Sequence, residues 1–219
     1  MRYYPISIDT KNKKVLVIGG GRGAYTKIKG LLNSEFLIYC LSTKFTESLL
    51  KLAEENKERI FLKEMEIDGD FRFFAYDYLI LATDDLALNR RLTKRAKLSS
   101  VPVLSLTDSD NSDFHLMANT YKGPLTVSIQ TGNPSLSRLI KRDMEKFVDG
   151  YSEEKMKIMS EVRKRLIEEN SPYISELMAE LWENEEISNR FWEERIENSH
   201  RNEKKPIGYD AGEKHRRDS

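Results

Sequence analysis

A chain of 219 residues is long enough for one domain with its own apolar core and a smaller attachment. Lysine plus arginine and aspartate plus glutamate number 36 each, so the formal net charge is zero, which argues against general nucleic-acid binding because that needs a basic excess. Cys40 is the only cysteine, which excludes an intramolecular disulfide, and no signal-type start or run of about eighteen apolar residues is present, so a soluble cytoplasmic protein that is not in the membrane is expected.

Short apolar runs alternate with amphipathic segments over the first half of the chain. Strands are predicted at 14–18, 36–42, 60–65, 76–83 and 101–106. Helices, in which apolar residues recur at helical spacing, are predicted at 22–33, 48–60 and 88–98. Strands that alternate with helices predict an α/β fold with a Rossmann-like parallel sheet and right-handed crossovers.

The pattern changes after residue 113. Leu125, Val127 and Ile129 alternate with polar residues, which predicts a hairpin over 114–131 with one covered face. The remainder reads as nearly all helical until periodicity is lost near Ser199. Three helices are predicted to begin with the capping residues Asn133, Ser152 and Ser171.

The glycine-rich turn after the first strand predicts a dinucleotide site. G-x-G-x-x-A is present as Gly19, Gly21 and Ala24, between a strand and a helix. The glycines permit a tight turn and a close approach of pyrophosphate to the backbone, and the helix N-terminus favours phosphate. The predicted cofactor-binding residues of this turn are Gly19, Gly20, Gly21, Arg22, Gly23 and Ala24.

The second strand ends in CLSTK and lacks the acidic residue that usually binds the adenosine ribose. Ser42 and Thr43 are therefore predicted to bind the ribose, because a hydroxyl can replace the carboxylate as a hydrogen-bond partner. Lys44 suits a 2′-phosphate, so these residues leave both NAD and NADP open.

Three aspartates and a histidine lie close together in SLTDSDNSDFHLM, residues 105–117. Asp108 follows a strand whose carboxyl end should face a ligand, so a general base and a turn residue both stay open. Asp110 and Asp113 are predicted to be turn and cap residues, and His115 to be structural or to contact a substrate carboxylate. A calcium loop is disfavoured because the required glycine is missing, and no resident metal site is predicted.

Several motifs resemble the precorrin-2 dehydrogenase / sirohydrochlorin ferrochelatase family of siroheme biosynthesis. In order they are YYPISIDTKNKKVLVIGGG, LILATDDLALNRRL, VPVLSLTDSDNSDF, GPLTVSIQTG and PSLSRLIKRDME. The resemblance implies oxidation of precorrin-2, a tetrapyrrole, to sirohydrochlorin with NAD+ as hydride acceptor, and a homodimer. It also implies a Rossmann domain at 1–112, a dimerisation and substrate segment at 113–148, a helical domain at 149–199 and a tail at 200–219.

The resemblance also assigns residues by position. Thr83, Asp84 and Asn89 match a segment that lies beside the cofactor. Thr107 stands where the family has an aspartate proposed as base, and Asp108 is the next residue, so these two are the implied catalytic residues. Insertion of Fe2+, which some members also perform, stays open because of this exchange.

A tetrapyrrole with many carboxylates needs cations and helix N-termini around it. The resemblance implies substrate-binding roles for Thr131, Gly132 and Arg138, and Asn133 in the same turn and His115 are further candidates for contacts with the substrate. A capped helix with solvated basic residues is the alternative for the turn at 130–135. A non-enzymatic Rossmann module that senses a nucleotide or binds a tetrapyrrole is the alternative for the whole chain.

Overall fold

The computed structural model describes residues 2–73 and 75–184. The strands of the first half are β1 (Lys14–Ile18), β2 (Leu37–Ser42), β3 (Ile60–Glu64), β4 (Tyr78–Leu81) and β5 (Val103–Ser105). Its α-helices are α1 (Arg22–Leu31), α2 (Glu47–Glu55) and α3 (Leu86–Leu98). Contacts divide the chain into two compact units between Leu116 and Met117, four residues after the expected end of the nucleotide-binding domain.

The five strands form one parallel sheet in the order β3-β2-β1-β4-β5, which confirms the predicted α/β class with a Rossmann-like sheet. Ile18 at the end of β1 pairs with Leu41 on one side and Leu81 on the other. The strand order reverses between β1 and β4, and ligands of such sheets bind at the carboxyl ends of the strands at that point. The residues just after Ile18, Leu41 and Leu81 therefore lie at the expected binding edge.

Both faces of this sheet are covered, which explains why β1 and β4 are almost continuously apolar. Helices α1 and α2 cover one face with Ala24, Ile28 and Leu49, each fully buried. On the other face, Leu92 of α3 packs in the same cluster as Phe73, which is 1% exposed and lies in the long connection before β4. Burial of this many large side chains supplies most of the stability that fixes the strand ends.

The second unit begins with a hairpin of β6 (Ala118–Lys122) and antiparallel β7 (Leu125–Ile129), as predicted. Gly123, with φ of +53°, starts the two-residue turn. The helices that follow are α4 (Pro134–Asp149), α5 (Glu153–Glu168) and α6 (Ile174–Glu183). Asn133 and Ser152 cap the first two helices, so both predicted N-caps are confirmed.

Two helix boundaries differ from the prediction. Helix α2 ends at Glu55, because the Asn56 side chain binds a carbonyl in the last turn and the chain enters β3 at Ile60. Helix α6 begins at Ile174, since Tyr173 before it is left-handed, with φ of +60°. The expected tail at 200–219 lies outside the described residues, and the domain division at 148 stays a prediction. Within residues 2–73 and 75–184, no helix is both long and apolar enough to traverse a lipid bilayer.

Candidate functional site

The glycine turn after β1 is built so closely against its neighbours that side chains do not fit at two of its positions. Gly19 has φ of +120°, and a Cβ there would lie 2.5 Å from the carbonyl oxygen of Ala82, the first residue after β4. A Cβ on Gly20 would lie 2.0 Å from the carbonyl oxygen of Lys44, beyond the end of β2. The turn therefore lies between the ends of β2 and β4, at the point where the strand order reverses.

Gly21 differs from these two glycines because nothing lies within 4 Å of the position its Cβ would take. It is the N-cap of α1, where no side chain accepts a hydrogen bond from the first helical N–H groups and no acidic residue lies in the first turn. Arg22 and Gly23 follow as exposed residues, and Ala24 is fully buried. Unused N–H groups, the positive end of the helix dipole and open space fit a pyrophosphate.

The end of β2 carries hydroxyls, as the sequence indicated. Ser42 is half-buried, and Thr43 and Lys44 are exposed on the outer side of the turn. Cys40 precedes Leu41 in the same strand and is fully buried. Its Sγ lies 3.3 Å from the Gly19 carbonyl oxygen. Burial raises the pKa of the Cys40 thiol to about 12, so it stays protonated and takes no nucleophilic role near neutral pH.

Three residues picked from separate parts of the sequence meet beyond β4 and β5. Asn89, 1% exposed on α3, donates from Nδ2 to the Thr83 carbonyl oxygen at 2.9 Å and to Thr107 Oγ1 at 3.0 Å. Its Oδ1 accepts the hydroxyl proton of Thr83 at 2.6 Å. This Thr83–Asn89–Thr107 network joins the carboxyl ends of two neighbouring strands and uses every polar atom of the amide.

The two aspartates after Thr83 have different surroundings. Asp85 caps α3, because its Oδ1 accepts from the N–H of Leu88 at 2.9 Å. Asp84, the residue assigned to cofactor binding, is exposed and directly precedes that cap. Its role in binding a cofactor stays a prediction.

Asp108 is half-buried and lies at the start of a short 3-10 turn, Ser109–Asn111. The side-chain amide of Asn111 donates to both of its carboxylate oxygens, at 3.0 and 2.9 Å. The carboxylate is therefore held by its own turn, next to the exposed Thr107 in the Thr83–Asn89–Thr107 network. Asn111, which the sequence did not single out, fixes the candidate acid–base group.

Ser112, which sequence reasoning missed, and Asp113 attach this loop to the free edge of β5. Ser112, 5% exposed, accepts the N–H of Ser105 on its Oγ at 2.9 Å. The Asp113 carboxylate accepts the N–H of Val103 at 3.0 Å and pairs with Lys97 at 3.3 Å. Asp113 thus satisfies the N–H of Val103, a structural role on a strand, where a turn or cap position was expected.

His115 is half-buried, and the ring of Tyr3 meets it edge-on with 4.4 Å between the ring centroids. Burial lowers the pKa of the His115 imidazole, and the positive charges of Lys27 and Arg2 lower it further. These effects favour the neutral form of the ring. A contact between His115 and a substrate carboxylate stays a prediction.

The turn predicted to bind substrate, which precedes α4, lies in the second unit. Asn133 Oδ1 accepts the N–H groups of Ser135 and Leu136, so the start of α4 already has a side-chain cap. Thr131 Oγ1 binds the backbone of Asn133 and contacts the Ser137 hydroxyl at 2.9 Å, while Gly132 has φ of +74°.

Arg138, also assigned to this turn, donates to the Pro134 carbonyl oxygen and the Ser135 hydroxyl of its own helix. Compared with α1, the α4 N-terminus offers fewer free donors to an anion. In the part of the chain that the structure describes, no three side chains of His, Cys, Asp or Glu are grouped so that they could hold a metal ion.

Comparisons with known proteins agree with this geometry. Residues 6–118 match a family model described as putative NAD(P)-binding. A siroheme synthase of Ruthia magnifica subsp. Calyptogena magnifica is 31% identical over 147 residues, 66% of this chain and 30% of that protein. One of Nitrosomonas europaea is 27% identical over 191 residues, 81% of this chain and 38% of that protein. The chain thus spans less than two fifths of these relatives.

Among solved structures, the chain is similar to SirC, precorrin-2 dehydrogenase. The TM-score is 0.65 at 22% identity, over 90% of this chain and all of that one, which supports the fold. With the matched family model, the glycine turn that fits a pyrophosphate and the sequence identity to siroheme synthases, the chain belongs to the siroheme synthase N-terminal and precorrin-2 dehydrogenase family, which carries an NAD(P)-binding domain.

Proposed function

We propose that this protein binds NAD+ at the glycine turn and dehydrogenates precorrin-2 to sirohydrochlorin in siroheme biosynthesis, in the cytoplasm. The observation that carries this proposal is the open α1 N-terminus beside the Thr83–Asn89–Thr107 network, at one edge of the sheet. The names of the relatives, siroheme synthase and precorrin-2 dehydrogenase, supply the substrate class.

The reaction removes two hydrogens from the macrocycle, one as hydride and one as a proton. When bound, NAD+ supplies the hydride acceptor. The N–H groups that follow Gly21 bind its pyrophosphate, and Ser42 and Thr43 bind the adenosine ribose. Thr83, Asp84 and Asn89 are our proposed contacts beside the cofactor, since Thr83 lies against the glycine turn at Gly19. Positioning of the macrocycle against the cofactor is then the main contribution of the protein.

Asp108 is our proposed proton acceptor, and Thr107 orients the substrate beside it. A carboxylate that follows a strand at the ligand edge and is held by Asn111 has a fixed position from which to take a proton. His115, Thr131, Gly132, Asn133 and Arg138 are the proposed contacts to the substrate's carboxylates.

The decisive experiment is to incubate the protein with enzymatically made precorrin-2 and NAD+ while following NADH and the sirohydrochlorin spectrum. We expect both products in equal amounts. If no NADH forms at any protein concentration while NADH still binds, the chain is a nucleotide- or tetrapyrrole-binding module without turnover. That second candidate is favoured by Thr107, which stands where the family has the aspartate proposed as base.

Cofactor binding is tested separately by titrating each variant with NADH and following its fluorescence. Gly21→Ala puts a methyl group in the open space where the pyrophosphate approaches, so we expect affinity to fall at least about tenfold, the effect of losing one charge-assisted hydrogen bond. Gly30→Ala is the matched control, because it is the same substitution on α1 with nothing within 4 Å. Equal affinities of the two variants would place the cofactor elsewhere. A parallel titration with NADPH shows whether the site prefers the 2′-hydroxyl of NAD or the 2′-phosphate of NADP on the adenosine ribose.

Insertion of a metal ion into sirohydrochlorin is a second activity that can be measured with the same protein. Fe2+ or Co2+ is added to sirohydrochlorin as a substrate, and the change in the macrocycle spectrum is followed. Asp108→Ala should abolish any insertion, since deprotonation of the pyrrole nitrogens needs a base. Insertion that Asp108→Ala leaves unchanged would remove Asp108 from this role.

We also propose a homodimer in which α4 contributes an apolar surface. Leu136, Leu139 and Phe147 are 45%, 54% and 57% exposed and lie on one side of this amphipathic helix. Leu139→Glu should dissociate the dimer in light-scattering measurements, whereas Glu145→Ala, on a different side of α4, should not. A monomeric wild-type protein would refute the proposal.

A further inference from the structure

The first residues of the chain bind the turn that carries Asp108. Arg2 donates from its guanidinium to the Asp110 carbonyl oxygen at 2.5 Å, and the Tyr3 hydroxyl donates to the Ser112 carbonyl oxygen at 3.3 Å. The Tyr3 ring also packs edge-on against His115. These three contacts join the chain start to residues more than a hundred positions away, and we call residues 2–3 the N-terminal strap.

The contacts of the strap flank Asn111, whose side chain holds the Asp108 carboxylate. Asn111 lies between Asp110 and Ser112, the two residues whose carbonyl groups the strap binds. The Asn111 amide in turn donates to both carboxylate oxygens of Asp108. A shift of the turn would therefore move the Asn111 amide and the Asp108 carboxylate together.

Two other side-chain hydrogen bonds attach the loop to β5. Ser112 Oγ binds the backbone of β5 at Ser105, and the Asp113 carboxylate binds it at Val103. Neither of these side-chain bonds involves residues 109–111 at the tip, where the Ser112 N–H binds the Ser109 carbonyl oxygen within the turn itself. Among the described residues, the bond from Arg2 reaches the tip itself from outside the loop, and the bond from Tyr3 closes its far end.

We propose that Arg2 and Tyr3 are positioning residues, which hold the 109–112 turn so that Asn111 keeps the Asp108 carboxylate at the ligand edge of the sheet. This inference rests on the proposed dehydrogenase function for its kinetic consequence, but the contact of the strap with the turn does not depend on it. Residues of the strap touch neither substrate nor cofactor in this role. They act through Asn111.

The neighbouring tyrosine provides a matched control. Tyr4 is 83% exposed, and no hydrogen bond or ring contact involves it in the structure. Tyr3→Phe removes only the hydroxyl bond to Ser112, whereas Tyr3→Ala also removes the packing on His115. Tyr4→Phe and Tyr4→Ala make the same chemical changes one position away, so they report any effect of the substitution that is unrelated to the turn.

The kinetic test measures kcat, KM for precorrin-2 and NADH affinity for each variant. Tyr3→Phe should lower kcat about fivefold, the equivalent of one net hydrogen bond, with a larger loss for Tyr3→Ala and NADH affinity unchanged in both. The Tyr4 variants should match wild type. Because the effect passes through Asp108, Tyr3→Ala should cause no further loss in an Asp108→Ala background. Additive losses in that double variant would refute the positioning role.

Hydrogen exchange separates failure of this inference from failure of the proposed function. The N–H groups of Ser112 and Asp113 are bonded to the carbonyl oxygens of Ser109 and Val103, so their exchange reports opening of the turn. Tyr3→Ala and Arg2→Ala should speed exchange in this segment and leave β1 unchanged, whether or not wild type forms NADH. Unchanged exchange at Ser112 in both variants would overturn the inference even in an active dehydrogenase.

Discussion

Replacing Asn89 with alanine tests whether the Thr83–Asn89–Thr107 network holds the ligand edge of the sheet together. The substitution removes two donated bonds of 2.9 and 3.0 Å and one accepted bond of 2.6 Å from a residue that is 1% exposed. At about 1 kcal/mol net for each hydrogen bond, and more where a buried partner stays unpaired, the loss is roughly 2–4 kcal/mol. The higher helix propensity of alanine offsets roughly 0.5 kcal/mol of this.

The assay is urea unfolding followed by circular dichroism, with a thermal scan beside it. A loss of this size should lower the Tm by roughly 5–10 °C for a chain of this length. Arg90→Ala, at the next and exposed position of α3, is the control and should change the free energy of unfolding by less than about 0.5 kcal/mol. If Asn89→Ala is as stable as Arg90→Ala, the three bonds contribute nothing to stability and the reasoning fails.

Three more predictions follow from individual residues. Gly20→Ala should lower the Tm or prevent folding, because the new Cβ would lie 2.0 Å from a backbone carbonyl oxygen; a variant as stable as wild type would contradict this. Cys40 should resist alkylation at pH 8 in the native protein and react at once in urea, because burial raises its pKa to about 12; equal rates would refute the burial. The pKa of Asp77 lies below its usual value, chiefly because the Lys14 N–H binds its carboxylate and also because Lys13 pairs with it. Asp77→Asn should therefore destabilise the protein at pH 7 in urea unfolding, and the difference from wild type should shrink as the pH falls below about 4; a constant difference would exclude this coupling.

Local sequence determined most of the secondary structure, because the formation of helices and strands depends on short-range patterns. Continuous apolar runs, helical spacing and the Asn133 and Ser152 caps each act within a few residues, so strands and most helix starts agree with the structure. The helix start predicted at Ser171 does not agree with the structure, because Tyr173 has a left-handed backbone conformation and α6 begins only after it. Sequence alone also located the glycine turn, since its chemistry depends on the spacing of small residues between a strand and a helix.

Tertiary structure decided which of the candidate residues meet. Thr83 and Asn89 are 6 positions apart and share two of the three hydrogen bonds, whereas the bond from Asn89 to Thr107 spans 18 positions and requires that β4 and β5 are adjacent in the sheet. No local pattern encodes that adjacency, which depends on the packing of α3 against both strands. The same holds for Tyr3 and Ser112, whose hydrogen bond depends on where the first residues run. The sequence by itself thus determined the elements and the cofactor turn, while long-range packing decided that Thr107 joins Asn89 and that residues 2–3 contact the turn that carries Asp108.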